Sequence, residues 1–139
     1  MTTAFFCFSD PGEALAGRLA EGPDERVVRV APGTLSESVA RWWPAADALV
    51  FVSSLGVAVR AAAPHLRDKE TDPAVLVVTE DGSTVLPVTG AHLGGGRDLA
   101  ERLAGRICAS LLLTTSSDRA GLTAPDLLAS RRGWKLLGR

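Results

Sequence analysis

Four segments of the chain carry residue types able to do chemistry. The first is Gly90-Ala91-His92-Leu93-Gly94-Gly95-Gly96-Arg97-Asp98. Glycines between a strand and a helix leave backbone N–H groups free to hold an anion. His92 beside them has the chemistry of a general base that activates water, with Gly94, Gly95 and Gly96 holding an oxyanion. The glycine spacing is neither the dinucleotide fingerprint nor a Walker loop, and the lysine of the latter is missing. The same residues also suit a tight strand–helix turn in which His92 only packs or caps.

The second segment runs from Arg60 through His65-Leu66-Arg67-Asp68-Lys69-Glu70-Thr71-Asp72-Pro73. Arg60 and Arg67 suit bidentate pairing with carboxylates, and Lys69 supplies a point charge. A solvated loop with weak local ion pairs is the plainer reading. The third, Ser53-Ser54-Leu55-Gly56, is a strand-to-helix turn of the kind that lines sites at the carboxyl edge of α/β sheets. Its serines serve equally as helix caps. The fourth, Thr114-Thr115-Ser116-Ser117-Asp118, offers hydroxyls and one carboxylate after a strand. No metal-ligand spacing appears, and His65 and His92 alone do not make a metal site.

The elements that must position these groups follow from apolar periodicity. Thr3 to Phe8, Val27 to Val30, Asp47 to Val52 and Ala74 to Val78 read as strands. Between them, a helix follows Ser9-Asp10-Pro11 and ends near Gly22-Pro23. A second spans Leu35 to Trp42 behind a Thr34/Glu37 capping box, and a third spans Leu55 to Ala62. Strands alternating with short helices predict an α/β fold with a mixed, mainly parallel sheet. Glu80-Asp81-Gly82-Ser83 before Thr84-Val85-Leu86-Pro87 adds one β-hairpin. A helix is expected from Arg97 to Ile107, a strand from Leu111 to Thr114 and a short helix near Ala124 to Ser130. Cys7 and Cys108 are expected in the core, and Trp42-Trp43 as a lid over it.

The chain has 139 residues, 46% hydrophobic and 22% charged, with net charge −1. That is one ordinary globular domain by length and composition, and the charge gives no support for nucleic-acid binding. No apolar run approaches the ~20 residues of a membrane helix. The Met1-Thr2-Thr3-Ala4-Phe5-Phe6 start lacks a basic signal region, so a cytoplasmic chain is expected. Asn, Gln and Tyr are absent and Arg far outnumbers Lys, a coding bias that weakens any surface arginine as a functional sign.

Taken in order, five blocks resemble the cobalt-precorrin-5A hydrolase family, CbiG, of anaerobic cobalamin biosynthesis. They are Ser54 to Arg60, Ala63 to Val75, Val77 to Gly82, Gly90 to Gly95, and Leu113 to Asp118. The chain departs from the family at Gly96-Arg97, where an Asn is usual, at Ala91 before His92, and at Thr115-Ser116-Ser117-Asp118. The resemblance implies residues 1–121 as an α/β N-terminal domain and 122–139 as the start of a middle region or linker, cut off before the family's C-terminal domain. It implies hydrolytic opening of a δ-lactone on a cobalt corrinoid, with release of acetaldehyde. It further implies no cofactor, since cobalt arrives inside the substrate. The expected partners are the corrinoid and other enzymes of the pathway, with neither nucleic acid nor membrane. His92 then becomes the expected catalytic residue. Ser53, Ser54, Gly56, Arg60, Arg67, Lys69, Gly94, Gly95, Gly96, Thr114 and Thr115 become the expected substrate-binding set, sharing one site. Two alternatives stand beside it: a non-catalytic corrinoid-binding or assembly module, and a generic phosphate- or nucleotide-binding domain resting on the glycine loop alone.

Overall fold

The computed structural model describes residues 1–90 and 95–113. Six strands, β1 (Thr3–Cys7), β2 (Glu25–Arg29), β3 (Ala48–Val52), β4 (Ala74–Val78), β5 (Thr84–Thr89) and β6 (Ser110–Leu111), form one sheet in the order β2-β1-β3-β4-β5-β6. Among the described residues four helices, α1 (Asp10–Leu19), α2 (Leu35–Trp42), α3 (Leu55–Ala62) and α4 (Gly96–Ile107), cover its faces, with one 3₁₀ turn at Ala63–His65. β2, β1, β3 and β4 run parallel, β5 runs antiparallel to β4, and β6 is parallel to β5. The mainly parallel α/β sheet with one hairpin is the expected architecture.

β1, β3 and β4 are buried along their whole length, because a parallel sheet clothed by helices on both sides has no solvent face. Successive side chains alternate between two cores. Phe5, Val50, Val52, Leu76 and Val78 meet α1 and α4 through Leu15, Leu19, Leu99 and Leu103. Phe6, Leu49, Phe51, Val75 and Val77 meet α2 and α3 through Val39, Ala58 and Ala62. The second strand starts two residues earlier than expected and is more exposed, since as an edge strand it pairs only with β1. Its charged Glu25, Arg26 and Arg29 suit that position.

The caps divide. The Ser9 hydroxyl accepts the Gly12 N–H and starts α1 as expected. The Thr34/Glu37 box does not form. Thr34 has ψ near 10° rather than the extended backbone a side-chain cap needs, and its hydroxyl donates to the Ala31 carbonyl at 2.7 Å. Ser54 makes no capping bond either, and the Ser53 hydroxyl donates to the Ser54 carbonyl.

Trp42 and Trp43 pack on the second core as a lid, and the Trp43 ring stacks on His65 with centroids 5.3 Å apart. Cys7 is buried, and burial pushes its thiol above the ordinary range. Cys108 is exposed, contrary to expectation. It sits in the left-handed conformation that ends α4 (φ 57°), where the chain turns away from the packed face. β6 follows at Ser110–Leu111, earlier than the expected Leu111–Thr114. The expected helix at 124–130 and the division at 121/122 lie outside the described residues. Among the described residues, no helix is long and apolar enough to cross a membrane.

One charged contact ties three elements together. Arg106 of α4 donates to the Leu19 carbonyl ending α1 and to Glu25 opening β2, at 2.9 Å for the latter. Burial pushes the Glu25 carboxyl up, but hydrogen bonds from the Glu21 N–H and Arg106, with the latter's charge, outweigh it and leave the carboxyl below its usual 4.5. A lowered value makes this contribution to stability complete above the ordinary glutamate range and lost as pH falls through the lowered value. Urea unfolding across pH 2–7 is therefore expected to show a smaller acid loss of stability in Glu25→Gln than in the parent chain.

Candidate functional site

The parallel strands define two edges. At one, β1, β3 and β4 end; at the other they begin and β5 ends. The two lie roughly 15–17 Å apart, because each central strand has five residues at ~3.3 Å rise per residue.

The carboxyl edge holds an open cavity of about 450 Å³ lined by Phe8, Ser53, Ser54, Val57, Thr79, Glu80 and Asp81. It lies at the switch point between β1 and β3, where α/β sheets commonly open a crevice. Its charged lining is acidic. Glu80 accepts the Ser9 hydroxyl. Asp81 accepts the Ser83 N–H at 2.9 Å and the Thr79 hydroxyl at 2.8 Å, and bonds from Ser83 and then Thr79 hold its carboxyl below the usual range. A polycarboxylate gains nothing from such a surface.

The opposite edge holds a cleft of about 260 Å³ lined by Leu66, Arg67, Asp68, Lys69, Asp72, Thr89 and Gly90. Its formal charges balance, but its acids are committed to the loop itself. The Asp72 carboxylate accepts the N–H groups of Arg67 (2.8 Å) and Asp68 (3.1 Å), and Asp68 accepts the Glu70 N–H at 2.8 Å. These turns order the loop from within. Arg67 and Lys69 have no ion-pair partner among the described residues, so the cations are the groups left to meet a ligand.

The glycine loop begins at this same edge. Gly90 has φ +73°, and a Cβ there would stand 2.9 Å from the Ala74 Cα at the start of β4. Only glycine fits. The Gly96 N–H donates to the Gly90 carbonyl at 3.0 Å, pinning the loop's two ends together at the start of α4. Gly95, with φ +76°, is the residue preceding that helix and has no side chain to cap it.

The expected residues therefore divide in space. Arg67 and Lys69 share the cleft, with Gly95 and Gly96 at the same edge. Ser53 and Ser54 line the other cavity, and Gly56 lies beside them in the first turn of α3. Arg60 is exposed on α3 and lines neither. His92, Gly94, Thr114 and Thr115 lie outside the described residues. The single pocket joining residues 53–60 to 90–97 is not what the fold builds, because β3 and β5 run in opposite directions and deliver their following loops to opposite edges. Sequence reasoning missed Thr89 and the ordering role of Asp72. The Asp68-to-Asp72 spacing was a readable turn signal, whereas nothing local marks Thr89.

The family model for the N-terminal region of cobalamin synthesis protein G matches residues 37–118, a span that includes the whole lining of the Arg67/Lys69 cleft and all but Phe8 of the other cavity. The chain belongs to this cobalamin synthesis G N-terminal family. Proteins of similar sequence include a cobalt-precorrin-5A hydrolase of Priestia megaterium, 41% identical over 86 residues, covering 62% of this chain and 23% of the relative. A cobalt-precorrin-5A hydrolase of Salmonella typhimurium is 35% identical over 136 residues, covering 91% of this chain and 39% of the relative. The chain thus spans well under half the length of these curated relatives. A solved structure described as a cobalamin biosynthesis protein G homologue, from Sulfolobus solfataricus, superposes with TM-score 0.69 at 23% identity. It covers 86% of this chain and 39% of that one, and it supports the cobalamin synthesis G fold seen here.

Proposed function

We propose that this chain is the N-terminal part of a cobalt-precorrin-5A hydrolase and that the Arg67/Lys69/Gly90 cleft with the adjoining glycine loop faces the corrinoid. The observation that carries this reading is the convergence at one sheet edge of two cations with no ion-pair partner among the described residues and of Gly90, Gly95 and Gly96, within the span matched by the family. In the reaction, one water loses a proton to a base, its oxygen bonds to the lactone carbonyl carbon, and the ring C–O bond breaks as the base returns the proton to the departing oxygen. The freed hydroxyethyl group then gives up its O–H proton and leaves as acetaldehyde, the electrons of its C–C bond and one proton going to the macrocycle carbon. His92 is the base in this reading, and the glycine loop's N–H groups hold the carbonyl oxygen as charge develops on it. Arg67 and Lys69 hold acetate or propionate arms of the macrocycle. Cobalt enters as part of the substrate.

The test is acetaldehyde release from cobalt-precorrin-5A, using this chain alone and this chain joined to the remaining portion of the Salmonella relative. Turnover by the joined protein is expected, and no acetaldehyde from either would reject the reading. One observation favours a narrower role. The chain spans 39% or less of its curated relatives, so a binding or assembly module that needs the remainder for catalysis is the second reading. Binding without turnover by this chain, with turnover by the joined protein, would select it.

The cleft's part can be checked separately. Arg67→Ala combined with Lys69→Ala should weaken binding of a cobalt corrinoid polycarboxylate by about tenfold or more at low salt, as charge-assisted bonds are lost. The loss should shrink as ionic strength rises.

A further inference from the structure

Among the described residues, the Thr89 hydroxyl is the one buried side-chain oxygen without a hydrogen-bond partner. It belongs to the residue that ends β5 and lines the cleft beside Arg67, Lys69 and Gly90. A buried hydroxyl left unpaired is unfavourable, and native proteins keep few of them. Its position has a structural cause. The pairing of β4 with β5 is regular from Val78↔Val85 to Leu76↔Pro87, then skips so that Val75 faces Thr89 rather than Val88. Such a bulge re-aims a side chain at the end of a strand.

We propose that Thr89 positions a carboxylate arm of the ligand, donating its hydroxyl hydrogen to one carboxylate oxygen while Arg67 and Lys69 meet the charge. This deepens the reading given above and rests on it. A hydroxyl donor adds a directed, charge-assisted bond to a carboxylate oxygen beside the charges of Arg67 and Lys69. The competing acceptors nearby, Asp68 and Asp72, are engaged by backbone N–H groups. The volume of about 260 Å³ has room for an acetate- or propionate-sized arm and not for the macrocycle, so the ring lies outside with an arm inserted. The oxygen itself is shielded, so engagement goes with a turn about χ1 that exchanges an unpaired hydroxyl for a paired one.

The test uses the full chain, with cobyrinic acid (a cobalt corrinoid heptacarboxylate) and its heptamethyl ester as probes. Thr89→Val keeps the branched shape and removes the hydroxyl; Thr89→Ser keeps the hydroxyl. Thr89→Val is expected to match or exceed the parent melting temperature, because an unpaired polar atom is removed. It should bind the heptacarboxylate about tenfold more weakly and the ester unchanged, while Thr89→Ser stays within about twofold of the parent. Equal binding of the heptacarboxylate by Thr89→Val and parent would overturn the assignment, as would an equal loss for acid and ester. A parent chain that fails to bind the heptacarboxylate overturns it too. The acetaldehyde assay on the joined protein keeps these outcomes apart from failure of the parent reading, since turnover that Thr89→Val leaves untouched sinks only the role of Thr89.

Discussion

Replacing His92 with alanine, in this chain joined to the rest of a relative, is expected to lower the turnover number for cobalt-precorrin-5A by about 10²–10⁴-fold, the span of a lost general base. Substrate affinity changes little, since binding is assigned to the cleft cations and not to the imidazole. The expectation rests on sequence position. His92 lies between Gly90, where β5 ends, and Gly95, which opens α4, and those two ends are held together by the Gly96-to-Gly90 bond. The kinetic signature is a fall in kcat with KM held within about twofold. A variant with unchanged kcat removes His92 from the chemistry; one with raised KM and unchanged kcat makes it a binding group.

Phe51→Ala is the second large effect, and it acts on the platform and not on the chemistry. Phe51 is fully buried in β3, one of the inner strands of the sheet, and stacks on Phe6 with ring centroids 5.0 Å apart. Both rings fill the core between the sheet and the α2/α3 pair. Truncation removes the whole buried ring and leaves a cavity that neighbouring strands, fixed by their own hydrogen bonds, cannot close. The expected loss is about 3–5 kcal/mol. Set against a typical domain stability of ~5–15 kcal/mol, that shifts the urea midpoint strongly downward. Val27→Ala on exposed β2 is the control, expected within about 0.5 kcal/mol of the parent. A Phe51→Ala midpoint no lower than that of the control would mean that the ring is not packed as described.

Much of the fold was legible because the forces that make it are local in sequence. Unbroken apolar runs such as Ala74–Val78 mark strands buried on both faces. Leu99, Leu103 and Ile107 mark the buried stripe of α4, and Glu80-Asp81-Gly82-Ser83 marks the hairpin. Two local signals misled. Thr34 has a capping residue type but not the capping backbone, and Cys108 looked apolar at a helix end that turns it into solvent.

The candidate site was legible as residue types and not as an arrangement. Arg67, Lys69 and the glycines could be picked out because cations and free N–H groups are what a polycarboxylate and an oxyanion need. Ser53 and Ser54 satisfied similar criteria yet belong to another cavity. Which residues share a site depends on strand direction, and the β4–β5 reversal sends the loop after β5 to the edge opposite the loop after β3. Thr89 depends on a finer tertiary fact, a one-residue slip in pairing register at the end of β5, where the residue lines the cleft. The amino-acid sequence by itself determined the elements, the family and the chemical inventory, because periodicity and composition encode burial and reactivity. Only the tertiary structure decided which groups meet, because pairing partners, strand direction and register are set by contacts between residues far apart in the chain.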